Sequence, residues 1–188
     1  KVLLVNPKQS LSLHTYTEVG DITGRRGWMP NLALPTLAAM APADVEVMIV
    51  DENVQDIDFD VRADVVGITG YYVHRRRMIE IAREFRQRGQ LVAMGGPYAS
   101  LSPATLRDHC DVLFIGEAED TWPRFLADLQ GGAHHAEYRA TDTVDIAASP
   151  MPRLGDMSRD DYAFGVVQTS RGCAFECEFC DVIVYLGR

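Results

Sequence analysis

Short, almost uninterrupted apolar runs recur through the first two thirds of the chain, and they restrict its fold more than any other feature. They are Val2–Val5 before Asn6-Pro7, Val45–Val50 before Asp51-Glu52, Val65–Thr69 before Gly70, Leu91–Met94 before Gly95-Gly96, and Val112–Ile115 before Gly116. A strand wetted on one face alternates polar and apolar residues, whereas one covered on both faces reads as a continuous apolar run. Between these runs lie longer amphipathic stretches. Leu32–Met40 predicts a helix that tolerates Pro35 only in its first turn. Val73–Arg88 places Met78, Ile79, Ala82 and Phe85 on one helical face and stops at Gly89. Ser102-Pro103 opens a short helix, and Glu117–Gln130 is amphipathic up to Gly131-Gly132. Strands alternating with helices predict an α/β domain over residues 1–132, a flavodoxin-like doubly wound parallel sheet. With 47% hydrophobic residues the chain can fill such a core.

Sheets of this kind bind ligands beyond the carboxyl ends of their strands. Asn6, Gly70-Tyr71-Tyr72, Gly95-Gly96-Pro97 and Gly116-Glu117 should converge there. The stretch from Lys8 to Pro30 lacks periodicity and is long for a structureless loop, so it is expected to serve function. Residues 133–161 are polar and weakly periodic and read as a linker. Residues 162–188 open a second unit, with a strand expected at Phe164–Thr169.

That strand runs into Arg171-Gly172-Cys173-Ala-Phe-Glu-Cys177-Glu-Phe179-Cys180, a C-x3-C-x2-C pattern. Three soft thiolates on one loop can hold three corners of an iron–sulfur cube and leave the fourth iron open. Arg171 would offset part of their charge. A structural zinc site needs a fourth ligand, which Cys110 or a histidine would have to bring by long-range folding. A disulfide would leave an odd thiol, and three unrelated buried cysteines would be a coincidence of spacing. Spacing alone leaves these alternatives open.

Taken with Val166-Val167-Gln168-Thr169-Ser170 ahead of it, the cysteine stretch resembles the radical S-adenosylmethionine family. The resemblance implies that Cys173, Cys177 and Cys180 ligate a 4Fe–4S cluster and that Phe179 lies near the adenine of S-adenosylmethionine. A flavodoxin-like domain ahead of this motif resembles the cobalamin-binding subgroup of the family. By that resemblance the loops at Asn6, Gly70–Tyr72, Gly95–Tyr98 and Gly116-Glu117 would cradle cobalamin. The D-x-H-x-x-G signature that places a histidine beneath cobalt is absent. His14, His74, His109, His134 and His135 all lack it, so cobalamin is expected without a histidine lower ligand.

Other residues invite a chemical reading and have a blander one. His134-His135 reads as solvated loop, Arg75-Arg76-Arg77 as a solvated helix face, and Cys110 as a buried structural thiol. Tyr71 or Tyr72 could lie under the corrin, and Trp28 could anchor its loop or cover a ligand. A net charge of −9 repels phosphate backbones and disfavours nucleic-acid partners. No run approaches the ~18–20 apolar residues of a membrane span, and a cytoplasmic location is expected.

The resemblance thus implies a cobalamin-dependent radical enzyme, foremost a methyltransferase acting on an unactivated carbon. One S-adenosylmethionine would methylate cob(I)alamin and a second would yield a 5′-deoxyadenosyl radical, with a flavodoxin or ferredoxin as electron donor and a small molecule as substrate. Radical cyclisation or rearrangement, or a non-catalytic cobalamin-binding module, are the rival readings. In the family the motif follows the first strand of a partial (β/α) barrel. The 188 residues stop one strand and one loop into it, so activity is expected only from a longer chain.

Overall fold

A computed structural model describes residues 1–9 and 22–187. Six parallel strands form one sheet: β1 (Val2–Asn6), β2 (Val47–Asp51), β3 (Val65–Thr69), β4 (Leu91–Gly95), β5 (Val112–Ile115) and β6 (Glu137–Arg139). Their order across the sheet is β2-β1-β3-β4-β5-β6, with the chain reversing its direction of growth at β1 and β3. This is the doubly wound, flavodoxin-like arrangement that the apolar runs predict.

Successive side chains of each strand point to opposite faces, and each face has its own core. Leu3, Val5, Val66, Ile68, Val92 and Met94 pack under α2 (Arg75–Gln87), against Met78, Ile81, Ala82 and Phe85. Val2, Leu4, Val65, Ala93 and Val112 pack on the other face, under α1 (Ala33–Ala39) and α5 (Thr121–Gln130). Because both faces are covered, neither parity in a strand is polar. The short helices α3 (Pro97–Leu101) and α4 (Pro103–Leu106) connect β4 to β5. Trp122 fastens α5 to α1 by donating its Nε1–H to the Leu37 carbonyl at 3.1 Å. Gly67 has to lack a side chain, since a Cβ there would sit 2.9 Å from Leu4 Cδ2, with the Trp122 ring beyond.

The stretch expected as a linker contributes the sixth strand. β6 has a single apolar residue, Tyr138, between Glu137 and Arg139, too little to read as a strand. Its register against β5 is set by tertiary contacts: the Tyr138 ring stacks on Phe114 at 5.4 Å, and its hydroxyl donates to Asp128 Oδ2 at 2.6 Å. The rest of 133–161 holds only the one-turn helices Ile146–Ala148, Leu154–Asp156 and Arg159–Asp161.

The expected strand at Phe164–Thr169 does not form among the described residues. A strand needs a neighbour to satisfy its backbone groups. Only the start of this segment finds one, where the Ala163 and Phe164 amides donate to the Gly27 and Trp28 carbonyls at 2.9 and 3.0 Å. The helix expected from Glu117 starts instead at Thr121, because Gly116 takes a φ of 87° and turns the chain before the helix can begin. No helix is long and apolar enough to cross a membrane among the described residues. α6 (Val182–Leu186) follows the cysteine loop.

Candidate functional site

The carboxyl ends of β1, β3, β4 and β5 open into a cleft of about 970 Å³. Asn6, Gly70, Tyr71, Gly95, Gly96, Pro97, Gly116 and Glu117, all expected there, line it. Tyr72 and Tyr98 do not. Tyr98, the second residue of α3, turns into the core, where Thr105 donates its hydroxyl to the Tyr98 oxygen at 2.9 Å. Tyr72 is exposed and covers Tyr98 edge-on, with centroids 5.7 Å apart. The cleft floor is apolar, with Ala93, Met94, Phe114 and Trp122, while its rim carries carboxylates, amides and a guanidinium. Such a cavity suits a large ligand with an apolar face and polar arms.

Two glycines shape the floor. Gly96 takes a φ of 88°, and a Cβ on it would overlap Thr69 Oγ1 and approach the Gly70 amide nitrogen to 3.1 Å. At Gly116 a Cβ would lie 2.8 Å from the Ala140 Cβ. At both turns the close approach of neighbouring chain and the positive φ favour glycine.

Three sets of polar partners gather at the cleft; Asn6, Tyr71 and Glu117 were expected there, whereas Asp51, Asn53, Tyr162, Glu119 and His74 were not legible as site residues from sequence. The first centres on Asp51, at the end of β2 and in register with Asn6. Its buried carboxylate accepts from Asn6 Nδ2 at 3.0 Å, from Asn53 Nδ2 at 2.7 Å and from the Tyr162 hydroxyl at 2.9 Å. Burial and the Asp51 charge push the Tyr162 phenol well above its ordinary range. The position of Asp51 at a strand end was the available signal. The second set is Glu117 with Arg171. The buried Glu117 carboxylate accepts from the Val144 amide at 2.7 Å and from Arg171 Nη1 at 2.7 Å, and Arg171 also contacts Glu119. Arg171, expected to offset cysteine charge, thus serves the rim of the cleft. The third is His74, set aside for lacking a cobalt-ligand signature. It is 2% exposed and lines the cleft, and its Nδ1 accepts from the Tyr71 amide at 2.9 Å. Burial holds its imidazole below the ordinary value of 6.5, against the pull of the Asp51 charge.

Residues Val166 to Arg171 line the cleft, but the cysteines after them do not. Cys173, Cys177 and Cys180 are free thiols, Cys177 exposed and the others half-buried. Backbone bonds shape their loop: the Cys173 amide donates to the Gly187 carbonyl at 3.2 Å and the Cys180 amide to the Cys177 carbonyl at 3.0 Å. Among the described residues no three His, Cys, Asp or Glu side chains are gathered as a metal site. As a donor set, three free thiols on one exposed loop suit a thiophilic metal cluster, and no core packing would have to break for them to close around it. Phe179, expected beside adenine, is 91% exposed.

Among the described residues, Trp28 alone of the remaining candidates lines the cleft. Arg75 and Arg76 are exposed, and Arg77 binds Glu52 through Nε at 2.9 Å. Cys110 is buried, its thiol pushed up to about 11 by desolvation. His134 and His135 are exposed beside α5 and β6, and His14 lies outside the described residues. Trp28 lines the cleft and packs on Phe164 with centroids 4.6 Å apart.

Residues 21–126 match the family model described as the B12 binding domain. The whole chain is 36% identical to an uncharacterized methyltransferase of Synechocystis sp., spanning 36% of that protein. It is 31% identical over 84% of its length to the bacteriochlorophyllide d C-8(2)-methyltransferase of Chlorobaculum tepidum, covering 37% of it. Over its whole length it is 29% identical to the hopanoid C-2 methylase of Rhodopseudomonas palustris, again covering 37%. The chain therefore spans a little over a third of each of these three relatives.

Proposed function

Since this chain belongs to the B12-binding domain family, we propose that it holds cobalamin over the carboxyl edge of its sheet, within a longer protein that methylates a carbon of a small molecule. The observation that carries this reading is the convergence of Asn6, Gly70, Gly95-Gly96 and Gly116-Glu117 on one cleft in a chain whose relatives are named methyltransferases. Backbone at Gly96 and Gly116 would let the macrocycle lie close to the strand ends, over the apolar floor of Ala93, Met94 and Phe114. Asn6, Thr69 and Tyr71 would meet its polar arms.

In the same reading Cys173, Cys177 and Cys180 would hold a 4Fe–4S cluster, and Phe179 would lie beside the adenine of S-adenosylmethionine. Bound cobalamin would supply a methyl carrier, and a bound cluster would supply one-electron reduction to S-adenosylmethionine. The chain's own part is positional. Residues Val166 to Arg171 run along the cleft, and Arg171 grips Glu117 and Glu119, so the cysteine loop starts from a fixed point on the cofactor domain. Holding two reactive centres at a set separation is the part of such catalysis that a scaffold provides.

The test is anaerobic reconstitution of the full-length protein with iron, sulfide and cobalamin. The expected result is a cobalamin spectrum, a cluster absorption, 5′-deoxyadenosine from S-adenosylmethionine, and labelled methyl in the product. Cobalamin binding without S-adenosylmethionine cleavage would leave a cobalamin-carrying module and overturn the radical reading. No cobalamin binding would overturn the whole of it.

A further inference from the structure

His74 Nε2 is the one buried side-chain nitrogen or oxygen without a hydrogen-bond partner among the described residues. Buried polar groups are nearly always paired, because an unpaired one forfeits its hydration for nothing. An exception in the wall of a ligand cleft therefore points to a partner that the ligand brings. A Cβ on Gly70, the residue after β3, would lie 2.9 Å from the His74 Cβ and 3.2 Å from its Cγ, so the histidine packs closely on the turn that leaves the strand. Its other nitrogen is already committed. Nδ1 accepts from the Tyr71 amide at 2.9 Å, so in the neutral ring the proton sits on Nε2. Nε2 is thus a donor and has no lone pair to offer a metal.

We propose that His74 donates its Nε2–H to an acceptor oxygen on an arm of cobalamin seated in the cleft, and that it is not a ligand of cobalt. The inference rests on the cobalamin reading above and adds a residue and a polarity to it. The groups that face His74 are consistent with donation: Tyr71 supplies an amide to Nδ1, and the Asp51 carboxylate is near enough to act on the ring's charge without accepting from Nε2. Arms of two kinds carry acceptor oxygens, the carboxamides around the macrocycle and the phosphate of the nucleotide tail.

Two substitutions separate the halves of the ring. His74→Asn keeps an acceptor for the Tyr71 amide and removes the distal donor, while His74→Gln reaches the Nε2 position with an amide N–H. The full-length protein is titrated with hydroxocobalamin and its Kd read from the absorbance change. His74→Asn should weaken binding about tenfold, the scale of one buried hydrogen bond, and His74→Gln should restore most of it. Repeating the titration with cobinamide, which lacks the nucleotide tail, assigns the acceptor: the Asn deficit persists for a carboxamide and vanishes for the phosphate. A measurement on unsubstituted protein guards against variants that fail to fold. Histidine nitrogen-15 spectra should show the Nε2–H tautomer with and without hydroxocobalamin, and the Nε2–H signal should shift on binding. Equal affinity of all three proteins with an unmoved signal would overturn the proposal and leave the cobalamin reading standing. Nitrogen superhyperfine splitting from His74 in bound cob(II)alamin would overturn it in favour of ligation. Failure of the unsubstituted protein to bind either corrinoid would overturn both.

Discussion

Arg171 Nη1 lies 2.7 Å from Glu117 Oε1, and this ion pair ties the segment leading to the cysteines to the carboxyl edge of the sheet. The two residues are 54 apart in sequence, and both side chains are largely withdrawn from water. Glu119 completes the clasp.

Replacing Arg171 with methionine would leave Glu117 and Glu119 facing one another without a counter-charge. Removing one partner of a buried pair costs more than the pair contributes, so a loss of about 2–3 kcal/mol is expected. Thermal unfolding of the full-length protein should show a lower Tm, and limited proteolysis should cut near residue 171 sooner than in the unsubstituted protein. An unchanged cutting pattern would mean that the clasp does not hold this segment.

Gly96→Ala and Gly89→Ala form a matched pair. Both glycines have positive φ, 88° and 75°, but a Cβ meets Thr69 and Gly70 at position 96 and nothing within 4 Å at position 89. Gly89→Ala should cost only the conformational strain, about 1–2 kcal/mol. Gly96→Ala should cost more and should also reduce cobalamin affinity, since the strand ends must part to admit the methyl group. Equal Tm losses would show that the close approach at Gly96 has no energetic consequence.

The buried His74 has a pH signature. Its folded pKa lies below the ordinary 6.5, with burial as the main cause. As pH falls through 6.5 the unfolded chain takes up the proton first, so stability declines from there down to the lowered folded value and this group adds no further loss below it. Glu52, Asp64 and Glu137, also lowered, start from 4.5, 3.8 and 4.5 and lose their contribution only in more acid solution. Tm measured between about pH 7.5 and 5.5 should fall more steeply for the unsubstituted protein than for His74→Asn. Parallel slopes would contradict a neutral buried imidazole.

Thiol chemistry should divide the cysteines. Cys110 is buried with its thiol pushed up to about 11, whereas Cys177 is exposed. In protein free of iron, iodoacetamide at pH 8 should modify Cys177 first and leave Cys110 untouched, as read by mass spectrometry. Labelling of Cys110 before global unfolding would show that its pocket opens.

Cys177→Ala should abolish assembly of the iron–sulfur cluster and leave cobalamin affinity and Tm within error, because this side chain contributes nothing to the core. Full retention of iron and sulfide would refute its role as a ligand.

Local sequence determined the sheet. Continuous apolar runs in β1, β3, β4 and β5 read as strands covered on both faces, and the residues that close them mark the edge where the cleft opens. Those signals, which locate that edge, are short-range, carried by side-chain period and by glycine. What only tertiary structure decided involves partners far apart in the chain. Tyr138 makes β6 a strand by stacking on Phe114, which no local pattern encodes. Phe164–Thr169 has the composition of a strand, but among the described residues only its first residue finds a backbone partner, and Val166–Thr169 line the cleft instead. His74 gives no motif at all. Its meaning comes from which of its two nitrogens finds a partner, and that depends on how β3 packs against the turn before α2.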